Sequence, residues 1–392
     1  MTAHHNKVLL KLLKVCFCVL TLLMPWSSFA ISRHVRAPHI VVYEYGTRTI
    51  LFERDIDTPT SAASMSKLMT LYIVFQHLKA GKLSLDDSLK VSANAVRAGP
   101  PSAFFEEGQM VKVHDLIMGT AVASGNDASI TLAEGLYNSQ EAFVDEMNKV
   151  AQELHLTNST FKNATGWPNL NSMSVRDMLT LAVRMLQDFP EYYYFFGEKQ
   201  FSYNGKTQKN YNALLNYNNI MVDGIKTGHT PSGDYGMIAS AHRDNRRVLV
   251  VINGLKTELA RAYETKKLIL YGFNKFDIQT IFHAGSTVGT IPIQKHAFVK
   301  LPVLVTQDVI VSHPKDFRHE VKAFISPKSD LDVPVKKGEE VGTLLVKSGT
   351  LSEYTVPVYA LKGISKPCRI CDHLMSLYHK VRSLFAPDQA TT

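Results

Sequence analysis

The spacing of apolar residues changes from a strand-like to a helical period near Ser64. Residues 39–45 and 49–53 are rich in β-branched and aromatic residues on either side of Gly46, which predicts a β-hairpin. From Ser64 onward, apolar residues recur every three or four positions until Gly81, a pattern typical of a core-facing helix that ends at a glycine. The sequence therefore predicts a strand pair followed by a buried helix.

The middle of the chain predicts helices first and a sheet afterwards. Residues 84–200 show mostly helical spacing, interrupted by Gly- and Pro-containing segments at 99–101 and 166–168. Three β-rich runs with short turns between them follow, at residues 223–227, 236–241 and 247–254. Such runs predict an antiparallel meander, which the N-terminal hairpin is free to join, and residues 261–273 then predict a helix. We expect an α/β domain, an antiparallel sheet flanked by helices, over residues 31–277.

The last third of the chain has a different pattern. Short Val, Ile, Leu and Thr runs broken by Gly and Pro predict an all-β sandwich or barrel over residues 278–362. In residues 363–392 the apolar side chains share one helical face, with basic residues beside it; they are Ile370, Leu374, Leu377, Val381, Leu384 and Phe385. We expect this amphipathic helix to lie on a membrane surface rather than to dock on the β-rich domain.

The N-terminal segment has the composition of an export signal. Residues 1–30 contain three lysines and no acidic residue, then an apolar run from Val15 to Met24, then Ser28-Phe29-Ala30, a small-x-small cleavage signature. The apolar run is too short to predict a membrane-spanning helix. We therefore expect residues 1–30 to be removed on export.

Charge and cysteine content narrow the choice of partners and cofactors. Loss of residues 1–30 removes three of the 43 basic and none of the 35 acidic residues, leaving a weakly basic chain without the basic clusters typical of nucleic-acid binding. Such a chain suits an anionic wall or membrane surface. Only Cys368 and Cys371 remain, spaced as Cys-x-x-Cys, which is half of a metal site at most, because no second Cys or His pair has metal-ligand spacing. We predict no metal and no cofactor.

Three short motifs carry the candidate chemistry. They are Ser64-Met65-Ser66-Lys67, Ser124-Gly125-Asn126 and Lys226-Thr227-Gly228, the S-x-x-K, S-x-N and K-T-G set of serine acyl-transferases. A serine hydroxyl needs a neighbour that takes its proton, and in a helix Ser64 and Lys67 lie one turn apart on the same face. Burial and the positive charge of Lys226 are expected to lower the pKa of Lys67, which makes it a candidate base.

The other two motifs predict how a substrate is held. Lys226 and Thr227, on an edge strand with a small glycine beside them, suit an extended substrate backbone and its carboxylate. Ser124 and Asn126 supply a proton relay and an amide. Two decoys, Ser202-Tyr203-Asn204 and Lys347-Ser348-Gly349, are set aside because of their position along the chain.

With His229 and Thr230 extending the third motif, the chain resembles the low-molecular-weight penicillin-binding proteins of peptidase family S11, and above all the membrane-attached D-alanyl-D-alanine carboxypeptidases. The resemblance covers almost the whole chain after residue 30, including four segments: Met65–Thr70, Ser124–Ala128, Ser174–Met178 and Asp223–Thr230. It implies a catalytic domain of the β-lactamase and penicillin-binding-protein type, a C-terminal β-sandwich and a membrane-anchoring helix.

The resemblance also implies roles for individual residues. Ser64 attacks the amide between the terminal D-alanines of a peptidoglycan stem pentapeptide, Lys67 is the general base, and Ser124 relays protons to the leaving amine. The substrate is held by Asn126, Lys226, Thr227, Gly228, His229 and Arg261, with the backbone N–H groups of Ser64 and His229 as the oxyanion hole. β-Lactams are expected to acylate Ser64, and the protein is expected at the periplasmic face of the inner membrane, with a role in the cell wall and cell shape.

Three other functions stay open on the residues alone. A class A β-lactamase needs a glutamate after the second motif, and no acidic residue occurs from Leu154 through Arg176. A D,D-endopeptidase that cuts cross-links uses the same catalytic set, and an inactive wall-binding scaffold keeps the same fold. We interpret Trp167 and the aromatic run 192–196 as packing residues rather than as a sugar-binding platform.

Overall fold

A computed structural model describes residues 35–365, apart from residues 169, 218–219, 294–295, 317–320, 350 and 352. The predicted export signal, the amphipathic helix and Cys368 and Cys371 lie outside the described residues. Among those described, no helix is long and apolar enough to cross a membrane.

A five-stranded antiparallel sheet forms the centre of the first domain. Its strands are β1 (His39–Glu44), β2 (Thr49–Arg54), β10 (Met221–His229), β11 (Tyr235–Arg243) and β12 (Arg246–Leu255), in the order β10-β11-β12-β1-β2. The predicted hairpin and meander are therefore both present, and they join through pairing of β1 with β12. The third motif lies within β10, which is an edge strand of this sheet.

In the described part of the chain, six α-helices and seven short strands lie between β2 and β10, and a seventh α-helix follows β12. The helices are α1 (Lys67–Lys79), α2 (Ala93–Arg97), α3 (Val113–Ala121), α4 (Asn126–Tyr137), α5 (Gln140–Glu153), α6 (Val175–Asp188) and α7 (Glu258–Lys275). The short strands are β3 (Thr60–Ser61), β4 (Ser88–Lys90), β5 (Met110–Lys112), β6 (Ser159–Thr160), β7 (Ser172–Met173), β8 (Gln200–Tyr203) and β9 (Lys206–Lys209). The region 84–200 thus contains the predicted helices, but also short strands that its apolar spacing does not reveal.

Both faces of the central sheet are buried, because alternate residues of one strand point to opposite sides. Val41, Leu249 and Val251 pack with α1 and the other helices of one layer. Ile40 and Val250 pack on the opposite face against α7. Burial on both faces explains why these strands appear in the sequence as continuous apolar runs.

The second domain is a β-sandwich. Its strands are β13 (Phe276–Phe282), β14 (Thr287–Ile293), β15 (His296–Leu304), β16 (Val309–Pro314), β17 (Val321–Pro327), β18 (Glu340–Ser348) and β19 (Tyr354–Ala360). The sheet β14-β15-β19-β18-β17 and the pair β13-β16 share one apolar core. Strand β13 was not predicted; it follows α7 directly and crosses position 277, where the sequence analysis places the end of the first domain.

Candidate active site

The nucleophile candidate lies in a tight turn that leads into the central helix. Ser64 belongs to a 3-10 turn, Ala63–Ser66, which continues into α1, and its side chain is only partly exposed. The hydroxyl of Ser66 donates to the carbonyl oxygen of Ala63 over 2.8 Å, which holds the turn. This placement puts Ser64 Oγ at the N-terminal end of a helix, where the helix dipole favours negative charge.

Lys67 is fully buried beneath Ser64. Its Nζ lies 2.8 Å from each of three oxygens, Ser64 Oγ, Asn126 Oδ1 and the carbonyl oxygen of Thr165. Burial lowers the pKa of Lys67 well below its ordinary value, the charge of Lys226 lowers it further, and Asp127 acts in the opposite direction. After loss of one proton, two N–H groups still serve Asn126 and Thr165, and the lone pair faces Ser64 Oγ.

The second motif joins the two lysines of the site. Ser124 has a left-handed backbone (φ 56°), and its Oγ accepts a 3.0 Å hydrogen bond from Lys226 Nζ. Asn126 begins α4 and is fully buried; its Nδ2 donates to the carbonyl oxygens of Gly99 (3.2 Å) and Pro100 (3.1 Å). Both ends of this amide are therefore hydrogen-bonded, and a substrate carbonyl that binds Nδ2 would replace a loop carbonyl.

Asp127, which sequence reasoning did not single out, shapes the adjacent loop. Its Oδ1 accepts from Ala103 N, and its Oδ2 accepts from Ser102 Oγ and Phe105 N. These bonds hold residues 99–105 over the site. The only sequence signal was an acidic residue directly after the S-x-N motif.

Lys226 lies on β10 with its ammonium group buried inside the site. Besides Ser124, its Nζ contacts the carbonyl oxygen of Thr227 over 3.3 Å. Burial, with a further contribution from the positive charge of Arg261, lowers the pKa of Lys226 to about 7. Gly228 allows a close approach of β10, because a Cβ atom there would lie 3.0 Å from the carbonyl oxygen of Ala62, directly before the nucleophile turn.

Arg261 enters the site from the first turn of α7. Its Nη2 donates to the carbonyl oxygen of Tyr211 (3.0 Å) and to Glu258 Oε1 (2.8 Å), and its Nε is buried with no hydrogen-bond partner among the described residues. Its guanidinium carbon lies 5.6 Å from the centre of the Tyr235 ring, on which the exposed His229 also stacks. Burial lowers the pKa of Arg261, and Glu258 opposes that shift.

The loop after α5 closes the site on its remaining side. The Oδ1 atom of Asn163 accepts hydrogen bonds from Thr165 N (3.0 Å), Thr165 Oγ1 (3.1 Å) and Gly166 N (2.6 Å). Gly166 has φ 77°, and a Cβ atom there would overlap the carbonyl oxygen of Ala63. The hydrogen bonds to Asn163 and the close approach of Gly166 to Ala63 bring the Thr165 carbonyl oxygen to Lys67. No sequence motif marks Thr165 as a partner of Lys67.

A cleft of about 330 Å³ opens above these groups. Six of the nine predicted site residues line it: Ser64, Ser124, Thr227, Gly228, His229 and Arg261. The other three, Lys67, Asn126 and Lys226, are buried. A larger cavity of about 560 Å³, lined in part by Thr230 and Lys256, contains no side chain of the three motifs, so the chemistry belongs to the smaller cleft.

The arrangement defines a class of protein. It has the parts of a serine acyl-transferase. These are a buried lysine beside a serine hydroxyl, a second serine–lysine pair and a positively charged site for a substrate carboxylate. All of them are carried by an antiparallel sheet flanked by helices.

Comparison with known proteins identifies the family. The family model for D-alanyl-D-alanine carboxypeptidase matches residues 27–257, and that for the C-terminal domain of penicillin-binding protein 5 matches residues 276–366. The D-alanyl-D-alanine carboxypeptidase DacC of Escherichia coli K12 is 32% identical over 370 residues, which cover 90% of this chain and 92% of DacC. The chain therefore belongs to the D-alanyl-D-alanine carboxypeptidase family, and it is a serine-type enzyme of that family.

Solved structures agree. Penicillin-binding protein 5 of Haemophilus influenzae superposes with a TM-score of 0.75 at 31% identity, covering 85% of this chain and 98% of that one. Penicillin-binding protein D2 of Listeria monocytogenes, in its ampicillin-bound form, superposes with a TM-score of 0.54 at 27% identity and covers 62% of this chain and 98% of its own.

Proposed function

We propose that the protein removes the terminal D-alanine from peptidoglycan stem pentapeptides through an acyl-enzyme on Ser64. The observation that carries this proposal is the 2.8 Å contact between Ser64 Oγ and the buried Nζ of Lys67, at the floor of a cleft that also holds Arg261. A neutral Lys67 takes the hydroxyl proton while Oγ attacks the carbonyl carbon between the two D-alanines. The backbone N–H groups of Ser64 and His229 then stabilise the oxyanion.

Collapse of the tetrahedral intermediate needs a proton on the departing nitrogen. Ser124 Oγ delivers that proton and takes a replacement from Lys226 Nζ, 3.0 Å away, as the C–N bond breaks and leaves the ester on Ser64. Water then attacks the ester carbonyl: its hydroxyl stays on the acyl carbon of the departing peptide, and its proton restores Lys226 through Ser124. Lys67 returns to Ser64 Oγ the proton that it took in the first step.

Cations at one end of the cleft select a substrate with a free carboxylate. The buried Nε of Arg261 has no hydrogen-bond partner in the part of the chain that the structure describes, and Thr227 adds a hydroxyl on the edge strand. Lys226, buried beneath the cleft, contributes positive charge when it is protonated. A peptide that lies along β10 would extend the sheet by one strand and place its terminal carboxylate at these groups.

The loop beside Lys67 disfavours rapid β-lactam hydrolysis. We propose that β-lactams acylate Ser64 as substrate mimics. Where a class A β-lactamase requires a glutamate to activate water, this chain brings the Thr165 carbonyl to Lys67, and no acidic residue occurs from 154 through 176. The acyl-enzyme formed with penicillin is expected to be long-lived.

We also propose that the protein is exported and held at the periplasmic face of the inner membrane. The support is the composition of residues 1–30 and the one-sided apolar pattern from Ile370 to Phe385.

Labelled penicillin tests the nucleophile. The wild type should bind one label per chain, and Ser64→Ala should bind none; a label on another serine of the mutant would refute the assignment.

D-alanine release from a stem pentapeptide tests the reaction. Cleavage of cross-linked muropeptides without D-alanine release would instead establish the D,D-endopeptidase.

A further inference from the structure

Trp167 forms part of the wall of the catalytic cleft. The residue is 39% exposed, and it lines the cleft together with Ser64, Pro100 and Pro101. The sequence analysis interpreted this residue as packing. A large apolar ring at the mouth of a polar catalytic cleft is instead placed to contact a ligand.

Hydrogen bonds hold the backbone of Trp167 at the edge of the cleft. Trp167 N donates to Thr165 Oγ1 over 3.1 Å, and its carbonyl oxygen accepts from Asn163 Nδ2 over 2.9 Å. The same loop packs Gly166 against the nucleophile turn and brings the Thr165 carbonyl to Lys67. The loop that carries Trp167 is therefore anchored beside the nucleophile.

The loop of Trp167 contacts the nucleophile turn through Gly166, and none of the described hydrogen bonds of Arg261 reaches that loop. The carboxylate site is built by Arg261, which is tied to Tyr211 and Glu258 and not to the loop of Trp167. Pro100 and Pro101 also contribute apolar surface to the cleft wall. They lie in the loop whose backbone carbonyls accept hydrogen bonds from Asn126. These three side chains line the cleft with apolar surface beside the serine that retains the acyl group.

We propose that Trp167 is a specificity-determining residue that packs against the side chain of the amino acid immediately before the D-Ala-D-Ala pair. This inference rests on the function proposed above. The apolar face suits a long, unbranched aliphatic side chain, whose methylene groups cover the indole while its polar end stays in water. A glycine at that position offers no such contact.

Two acylated tripeptides test the proposal. One is Nα,Nε-diacetyl-L-Lys-D-Ala-D-Ala, and the other is Nα-acetyl-Gly-D-Ala-D-Ala. For Trp167→Ala we expect kcat/KM to fall about ten-fold on the lysine peptide and less than about two-fold on the glycine peptide. Trp167→Phe should keep most of the preference. Tyr194→Ala, which removes a comparably exposed aromatic ring outside the cleft, should change neither value.

Fluorescence gives a second readout that a purely structural role would not move. The chain has two tryptophans, Trp26 and Trp167, and Trp26 lies in the segment expected to be removed on export; Trp26→Phe makes Trp167 the single emitter whether or not that segment is removed. In the Trp26→Phe/Ser64→Ala protein, the lysine peptide should shift the emission and the glycine peptide should shift it much less.

The outcomes separate the two proposals. Equal losses on both peptides with Trp167→Ala, or equal emission shifts, would overturn the role of Trp167 while leaving the carboxypeptidase intact. Failure of the wild type to release D-alanine from either peptide would overturn the proposed function and this inference with it.

Discussion

Two buried lysines set the electrostatics of the site at the scale of single residues. Lys67 faces the nucleophile, and Lys226 faces Ser124. Burial lowers the pKa of both side chains, and the charge of Lys226 lowers the pKa of Lys67 further. A lysine becomes a useful base near neutral pH only under such conditions.

The mutual repulsion of the lysines predicts a shift in pH dependence. Acylation by a β-lactam requires neutral Lys67, so its rate should fall as pH decreases through the lowered pKa of Lys67. Lys226→Gln removes a positive charge, which raises that pKa and moves the acid limb of the rate profile to higher pH. Lys256→Gln, at an exposed lysine paired with Asp234, is the control. A limb that stays in place or moves to lower pH in Lys226→Gln would contradict this account.

A second residue-scale prediction concerns the carboxylate site. Arg261→Gln should lower kcat/KM on a peptide ending in free D-Ala-D-Ala about a hundred-fold, because a charge-assisted contact is lost. The same peptide with a C-terminal amide should be affected little. Arg243→Gln, at an arginine whose guanidinium contacts Asn274 away from the cleft, should leave both peptides unchanged. An equal loss on both peptides would remove Arg261 from carboxylate recognition.

Sequence motifs located the polar side chains but not their backbone partners. The spacing of Ser64 and Lys67 follows from helix geometry, and the structure places their side chains in contact. The Thr165 carbonyl has no sequence signature, since every residue carries one. The occupation of Asn126 Nδ2 by loop carbonyls also depends on how a distant segment folds, which residue types do not specify.

At the scale of elements, the site depends on close approach between three backbone segments. The nucleophile turn Ala63–Ser66 meets β10 at Gly228 and the loop after α5 at Gly166. A Cβ atom at Gly166 would overlap Ala63, and one at Gly228 would be tightly packed against Ala62 and Met65. These contacts transmit the position of the loop directly to Ser64 and Lys67.

Replacement of Gly166 should therefore separate the loop from the nucleophile. In Gly166→Ala the added methyl group overlaps the carbonyl oxygen of Ala63, so acylation should slow by about ten-fold or more and the melting temperature should fall. Gly205→Ala is a matched control, because Gly205 has the same φ of 77° with no atom within 4 Å of the new Cβ. Equal effects of the two substitutions on acylation would show that backbone strain alone, rather than the contact with Ala63, is responsible.

The major elements were predictable because their apolar periods are strong. The hairpin, the meander and α1 each bury a continuous run or stripe of apolar residues. The short strands β3, β6 and β7 could not be predicted, since two-residue strands have no period. Strand β13 follows α7 without a turn, so no break in the sequence marks where it begins.

At the scale of the whole molecule, polar contacts join the two domains at one end of the central sheet. Thr47 Oγ1 lies 2.6 Å from Ser312 Oγ. Arg246 donates to the Glu44 carboxylate and to the carbonyl oxygens of Phe273 and Phe276, where α7 passes into β13. The β-sandwich is thereby attached away from the cleft, and a change in its far end should leave the chemistry intact.

Removal of residues 366–392 should release the protein from membranes without loss of activity. Ile364 pairs with Val335 in the β-sandwich, so a deletion that begins at residue 366 spares that contact. We expect the shortened protein in the soluble fraction, with penicillin labelling at wild-type stoichiometry. Unchanged fractionation would refute the proposed anchor. Loss of labelling would refute the independence of the catalytic domain.

Cleavage of the bond between the two terminal D-alanines by Ser64 can be measured as D-alanine release from a stem pentapeptide. The wild type and Ser64→Ala are compared, and the peptide product is identified by mass. We expect one D-alanine per tetrapeptide formed by the wild type and none above background for Ser64→Ala. Absence of release by the wild type, or undiminished release by Ser64→Ala, would show that Ser64 does not perform this reaction.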